Sequence, residues 1–324
     1  SVHHVIKTIA VLTILNAPPP SGSFRPSYCD RNNTLYNISQ VNQKILPNLK
    51  PPIPPQPVGR YLRHVERPWI LFGHHYSGRG LHPYDNMPGY HGSVGLQLSD
   101  TAMYLMTDSD KKNEVLLGFI QIGIDYYYTE AADNSTWLWP VIFTGLLLDE
   151  PDMYNYWIND PHRPFARERA KLYYIGDRTE STTSSIISRG KTWVEWKTPE
   201  GKYVAFAKKV GQEHEHLHPS EWKKDHKKNE TYRANLDVYP IIGMMLSSML
   251  VDRKTPIDVR KKLNHDPAWD YSDRWMSGIF VKGYYSETGR NYLEEKIATS
   301  GHRSGHLYGS SGIAWVNSMW HEYR

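Results

Sequence analysis

The chain has 324 residues, and its only cysteine is Cys29, so an intrachain disulfide is excluded. A chain of this length buries roughly three quarters of its unfolded surface and needs no such staple. The 38 Lys and Arg residues exceed the 34 Asp and Glu residues by four, a balance that permits an acidic ligand. No basic run resembles a nucleic-acid patch, which argues against a nucleic-acid partner.

Tyrosine and tryptophan dominate the aromatic residues, since 23 Tyr and 11 Trp stand against seven Phe. Rings with a polar edge suit a wet, partly apolar surface such as a sugar-binding cleft. A core rich in aromatics is the alternative explanation for many of them. The composition therefore favours carbohydrate as the ligand class.

The stretch from Val5 to Leu15 is about ten residues of apolar bias, too short to span a bilayer. It contains Lys7 and lacks a clear small-residue cleavage site, so it predicts an early helix rather than a signal peptide. No segment predicts a membrane partner. N-x-S/T sequons favour a secreted or periplasmic protein, and they occur at Asn32, Asn37, Asn134 and Asn229.

Proline dominates residues 17–68, with a dense run from Pro51 to Pro57. Proline lacks a backbone N–H and fixes φ, so this segment cannot be one continuous helix. We expect a Pro-rich strap that wraps the body of the protein.

Residues 73–95 form a Gly-, His- and Tyr-rich loop in the sequence pattern. Long loops of this composition usually carry function rather than only connecting elements. The loop supplies four candidate substrate-binding residues: His75, Arg79, Asn86 and His91.

The pattern turns helical after this loop. Ser99 and Asp100 are predicted to cap one helix and Asp110 to start the next, in which Val115 to Ile124 repeat at helical spacing. The segment Trp139 to Leu148 is almost wholly apolar and predicts a buried helix. Further helices are predicted at 232–251 and 291–298.

One β excursion interrupts the helices. Within residues 171–210, two alternating segments flank a Pro-Glu-Gly turn ending at Gly201, which predicts a β-hairpin insertion. The fold class is therefore mainly α, in a single domain over residues 1–324.

The densest polar motif holds His214, His216 and His218, which share one face if the segment is extended. The motif fits either a metal-binding comb or a general base oriented by its neighbours. The alternative is a solvated polar loop without a chemical role.

A second candidate group lies in the predicted helix from residue 232: Tyr232, Arg233 and Tyr239. The two tyrosines are two helical turns apart and share a stripe, and a tyrosine beside an arginine can have its pKa lowered. A helix–helix contact explains the same pattern without chemistry.

A third group precedes the buried helix: Asp133 and Asn134, followed by Trp137 and Trp139. Backbone N–H groups at a helix start bind anions, and Asn134 can donate to a carboxylate. The same residues also make an ordinary N-cap.

Four fragments resemble bacterial heparinase II/III-like and alginate-lyase-like α/α-toroid polysaccharide lyases, nearest to polysaccharide lyase family 38. They are Ser23 to Cys29, His82 to Pro88, Trp139 to Asp149 and Glu215 to Trp222. The resemblance implies an (α/α) toroid, an incomplete barrel of helical hairpins with a polysaccharide groove. The loop Ala131 to Trp137 departs from the Gly/His/Arg-rich loop of that family.

The resemblance also implies β-elimination of a 4-linked uronic acid polymer of alginate or glucuronan type, with no cofactor and no metal. Asn134 would neutralise the carboxylate, His216 or His218 would remove the α-proton, Tyr239 would act as acid or acid/base, and Arg233 would be its electrostatic partner. Trp137, Trp139 and Tyr232 join the candidate substrate-binding residues.

Two other functions fit the sequence. An inverting glycoside hydrolase on the same scaffold needs two carboxylates roughly 6.5–9.5 Å apart, and Asp125, Glu130, Asp133, Glu213 and Glu215 are available. A glycan-binding protein without turnover is the other, which the altered loop before Trp137 favours.

Overall fold

The computed structural model describes most of the N-terminal half and parts of the C-terminal half. The residues described are 14–15, 17–28, 34–68, 70–72, 79–81, 88–129, 135–156, 180–188, 191–197, 203–207, 239–262, 272 and 310–324. These residues are mainly helical with few strands, as the sequence predicted. The predicted early helix at 5–15 and the predicted helix at 291–298 fall largely or wholly outside them.

The helices within the described ranges are α1 (Val58–Val65), α2 (His91–Tyr104), α3 (Lys112–Tyr128), α4 (Ser135–Leu148), α5 (Pro151–Tyr154), α6 (Tyr239–Asp252), α7 (Val259–Lys262) and α8 (Ser310–Tyr323). The strands are β1 (Ile70–Phe72), β2 (Arg79–Leu81), β3 (Pro88–Tyr90), β4 (Glu180–Ser188), β5 (Lys191–Lys197) and β6 (Tyr203–Ala207). None of the helices in these ranges is long and apolar enough to cross a membrane.

The chain divides into two compact units. The first combines Ser1–Asp160, Tyr239–Asn264 and Ser311–Arg324 and therefore holds all eight helices named above apart from the first residue of α8. The second combines Pro161–Val238 and His265–Ser310. The single domain over 1–324 stays a prediction.

In the second unit, β5 and β6 pair antiparallel on either side of the Pro-Glu-Gly segment, which confirms the predicted hairpin. A further strand, β4, pairs antiparallel with β5 and makes a three-stranded sheet. The sequence analysis had not assigned this strand.

The Pro-rich segment is largely irregular in its described part, with two short 3-10 turns at Ile38–Gln40 and Gln43–Ile45. Arg25 in this segment donates to the buried Asp125 of α3 through Nη1 at 2.8 Å. The absence of a continuous helix agrees with the prediction. Its last part differs, because α1 begins directly after Pro57 and buries Tyr61 and Val65.

Helices α3 and α4 form an antiparallel hairpin. Phe119 packs edge-on against Phe143, while Tyr126, seven residues further along α3, stacks on Trp137, six residues earlier in α4. The two backbones come close at Gly123, where an added Cβ would overlap Thr144 and the Pro140 carbonyl oxygen. The apolar helix α4 is buried, as predicted.

Helices α1 and α2 also run antiparallel. Tyr61 stacks on Tyr104 at a centroid distance of 4.1 Å, whereas His64, one turn later in α1, meets Thr101, one turn earlier in α2. Helix α1 packs on α3, and α2 packs on both α4 and α6. The first unit thus has one layer containing α1 and α3 and another containing α2, α4 and α6.

The start of α2 corrects two sequence predictions. The helix begins at His91, so the segment 73–95 is not one structureless loop, and Ser99 and Asp100 lie inside the helix instead of capping it. Both side chains are buried and bond to other helices. Tertiary contacts, which local patterns do not reveal, therefore satisfy the two groups that looked like caps.

Gly123→Ala should lower the free energy of unfolding by about 1–3 kcal/mol or more, because the new methyl group overlaps backbone in a packed interface. Denaturant unfolding of the purified variant measures this loss. The matched control is Gly59→Ala in α1, where a Cβ meets nothing within 4 Å and should stabilise by about 0.4–1 kcal/mol. Equal stability changes in the two variants would contradict the packing of α3 on α4.

Candidate functional site

Five of the predicted site residues fall in described elements. Arg79 lies in β2, His91 is the first residue of α2, Trp137 and Trp139 lie in α4, and Tyr239 is the first residue of α6. The others lie outside the described residues: His75, Asn86, Asn134, His216, His218, Tyr232 and Arg233, together with His214 of the histidine comb. Asn134 directly precedes Ser135, the first residue of α4.

The last residues of α2 and α4 and the first residues of α3 lie at one end of the first unit. Leu49 of the strap bridges Thr107, three residues after α2 ends. The Asn42 amide donates to the Leu147 carbonyl near the end of α4, at 2.8 Å, and Lys112 at the start of α3 donates to the Pro47 carbonyl, at 2.7 Å. A short strap segment, residues 42–49, thus touches all three helix ends.

The end of α6 lies at this same end of the unit. Arg253, just after α6, donates to the carbonyl of Tyr323 at 2.9 Å, and the Tyr323 hydroxyl donates to the carbonyl of Lys50 at 2.6 Å. Lys50 follows Leu49, which pairs with Thr107 just after the end of α2. Since Gly243 of α6 also contacts Ser99 of α2, the two helices run parallel.

The starts of α2, α4 and α6 therefore lie together at the opposite end. Each helix has 14 residues, which at 1.5 Å per residue is about 20 Å. The three starts are His91, Ser135 and Tyr239, and we call this the site end. Three segments of the sequence, each selected for a different reason, thus contain or directly precede these helix starts.

The electrostatics of the site end favour an anion. Each helix start carries about half a positive charge from its unpaired N–H groups. None of the three helices has an acidic residue in its first turn. Within these three first turns no carboxylate offsets the partial positive charges, so the helix starts favour a carboxylate or similar anion.

A small antiparallel sheet brings a further predicted residue close to the site end. Strands β1, β2 and β3 pair in order, and Arg79 of β2 lies opposite Tyr90 of β3. Tyr90 immediately precedes His91, the start of α2. The pairing thus places the backbone of Arg79 beside that of His91, two of the predicted substrate-binding residues.

Trp137 and Trp139 are interior residues, because both indoles have 0% exposure. Trp137 stacks on Tyr126 at 5.1 Å, and Trp139 packs on Phe143 at 5.4 Å. A fully buried indole offers no face to a sugar. The burial argues against the predicted stacking of these two residues on substrate and assigns them to packing α4.

The carboxylate of Asp125, one candidate for a hydrolase, is engaged elsewhere. It is buried, accepts from both terminal nitrogens of Arg25 and also accepts from the Tyr28 amide at 3.3 Å. Removing such a partner would leave an uncompensated buried charge. Asp125 therefore holds the strap on α3 and is not poised as a general acid or base.

The sequence analysis missed a polar cluster around Asp100. This buried carboxylate accepts from Trp315 Nε1 at 2.7 Å and from the Tyr61 hydroxyl at 3.2 Å, and Arg60 lies 4.0 Å away. Burial raises the pKa of Asp100 to about 6, although Arg60 and the two donors favour the charged form. No signal in the local sequence pairs residue 100 with residue 315.

Among the described residues, no group of three or more His, Cys, Asp or Glu side chains could hold a metal ion. The histidine comb lies outside these residues, so its metal alternative stays open. No protein-family model, curated protein or solved structure matches the chain.

The raised pKa of Asp100 predicts a pH dependence of stability. The folded protein keeps this proton up to about pH 6, whereas the ordinary pKa of an Asp side chain is 3.8. The contribution of Asp100 to the free energy of unfolding is therefore largest below about pH 4. It falls by up to about 3 kcal/mol as the pH rises to about 6. Denaturant unfolding of wild type and Asp100→Asn at several pH values tests this.

The stability of Asp100→Asn relative to wild type should rise between pH 4 and pH 7, since the variant has no carboxylate to ionise. Asp108→Asn is the matched control, because Asp108 is exposed and its variant should show no such trend. A pH-independent difference between wild type and Asp100→Asn would contradict the assignment.

Proposed function

We propose that this chain is a polysaccharide lyase that cleaves a 4-linked uronic acid polymer, of alginate or glucuronan type, by β-elimination. The observation that carries the proposal is the meeting of the starts of α2, α4 and α6 at the site end. His91, Asn134 and Tyr239 begin or adjoin these helices. An acidic sugar is the ligand favoured by three helix starts whose first turns contain no acidic residue.

The proposed scaffold is an (α/α) toroid of the heparinase II/III-like and alginate-lyase-like type, nearest to polysaccharide lyase family 38. Its support is the layer of parallel helices α2, α4 and α6, with α1 and α3 antiparallel to their partners in the other layer. In an (α/α) toroid, each helical hairpin places one helix on the inner wall of the ring and the other helix on the outer wall.

In the proposed reaction, a uronate carboxylate binds at the site end with Asn134 as the neutralising donor. Offsetting this charge stabilises the carbanion-like transition state that follows loss of the C5 proton. His216 or His218 takes that proton, the electron pair forms the C4–C5 double bond, and the bond from C4 to the glycosidic oxygen breaks. Tyr239, with Arg233 as its proposed electrostatic partner, donates a proton to the departing oxygen.

Incubation with alginate, glucuronan and heparin-type polymers should raise the absorbance near 235 nm, because elimination creates a conjugated double bond. Reducing ends are measured in parallel. New reducing ends without absorbance would indicate the hydrolase alternative, and no change on any polymer would favour the non-catalytic glycan-binding alternative. Either outcome would overturn the lyase proposal.

Tyr239→Phe should lower the elimination rate by about 100-fold or more, because the departing oxygen loses its proton donor. The matched control is Tyr323→Phe, which removes the same hydroxyl group at the end of the unit that holds Lys50. The control should retain activity. Full activity in Tyr239→Phe would remove Tyr239 from the mechanism.

Asn134→Ala should lower the turnover number by about 100- to 1,000-fold, since an aimed donor to a developing negative charge is lost. Steady-state rates at 235 nm measure the effect, and glycan attached at Asn134, which heads a sequon, is checked by mass spectrometry of proteolytic peptides. A protein that is glycosylated at Asn134 and active would contradict the role of Asn134.

A further inference from the structure

The buried contact between α2 and α6 has an unusual form. Ser99 Oγ accepts hydrogen bonds from two consecutive backbone amides of α6, Gly243 N at 2.8 Å and Met244 N at 3.2 Å. Ser99 is 1% exposed and Met244 is 0% exposed, so water does not compete for these groups. In a regular helix these two amides would bond only to the carbonyls of Tyr239 and Pro240.

Close approach of the two backbones makes the contact possible. A Cβ on Gly243 would overlap the Ser99 carbonyl oxygen and lie 2.8 Å from Ser99 Oγ. A side chain at position 243 would therefore force the helices apart. Glycine here is required by packing, because it lets a serine hydroxyl reach the amides of the neighbouring helix.

The contact lies one turn into α6. Gly243 follows Tyr239 by four residues, about 6 Å along the helix axis. The first four N–H groups of a helix have no partner within it, so only the amides from Gly243 onward can bond back to this turn. The first turn of α6 therefore has few hydrogen bonds of its own to hold it. The Ser99 hydroxyl ties the amides at its far end to α2.

We propose that Ser99 is a positioning residue, which fixes the first turn of α6 against α2 and thereby sets Tyr239 level with Gly95, about one turn into α2, for the reaction. The inference rests on the proposed lyase function. It assigns to Ser99 no contact with substrate.

Ser99→Ala tests the inference, since it removes the hydroxyl without adding volume. Ser247→Ala is the matched control: Ser247 lies on α6 and is 0% exposed, but its hydroxyl donates to the Met244 carbonyl of its own helix. Two measurements are made on both variants, hydrogen exchange of the α6 amides and the kinetics of elimination at 235 nm.

In Ser99→Ala, the amides of Gly243 and Met244 should exchange at least about tenfold faster, while those of Met245 to Val251 keep their protection. The turnover number should fall at least about tenfold with KM nearly unchanged, because the displaced group acts in the transition state. Ser247→Ala should show neither effect.

Unchanged exchange at Gly243 and Met244 would overturn the inference, and so would faster exchange with wild-type turnover. Loss of protection along the whole of α6 would show a general stabilising role and would also overturn it. If wild type eliminates no polymer, the lyase proposal fails and the positioning role fails with it. The exchange data would still establish whether Ser99 holds the turn.

Discussion

The arrangement of the first unit depends on the close packing of α2 against α6. The two helices are separated by more than 130 residues, yet Ser99 and Gly243 bring their backbones into contact. The contact lies near the middle of α2 and near the start of α6, so it fixes how far one helix slides along the other. This one register sets the relative positions of the starts of α2 and α6, and α4 packs on both helices.

The second constraint is the apolar character of α4. Its side chains from Trp137 to Leu148 are buried, including two indoles that looked suited to sugar. A helix start in low-dielectric surroundings acts on a charge more strongly than one in water. Burial of Trp137 and Trp139 thus places low-dielectric surroundings within about one turn of the α4 start.

The elements that the sequence predicted are those with a strong local signal. The apolar run of α4, the β5–β6 hairpin around its turn, and the non-helical proline segment all depend on neighbouring residues. The start of α2 was missed because residues 91–98 include Gly92, Ser93 and Gly95, which disfavour a helix. Burial of Val94 and Leu98 outweighs that preference, and only the folded structure supplies this burial.

For the candidate site, the sequence pointed to individual residues but not to the arrangement of the helices. Loop composition selected His91, helix-start chemistry selected Asn134, and the spacing from Tyr232 selected Tyr239, whereas the meeting of α2, α4 and α6 depends on which helices run parallel. The same holds for Asp100, whose partner Trp315 is 215 residues away. Long-range pairs of this kind leave no periodic trace in a single sequence.

The first unit is built from three separate stretches of chain, and this has a consequence for synthesis. When residues up to 160 have left the ribosome, α2 and α4 still lack α6. At about 5–20 residues per second, the 144 residues between Ser99 and Gly243 take roughly 7–30 s to emerge. During that time the apolar faces of α2 and α4 that will cover α6 are open to water, which makes the nascent chain a candidate for chaperone binding. A contact over so long a separation in sequence also slows folding.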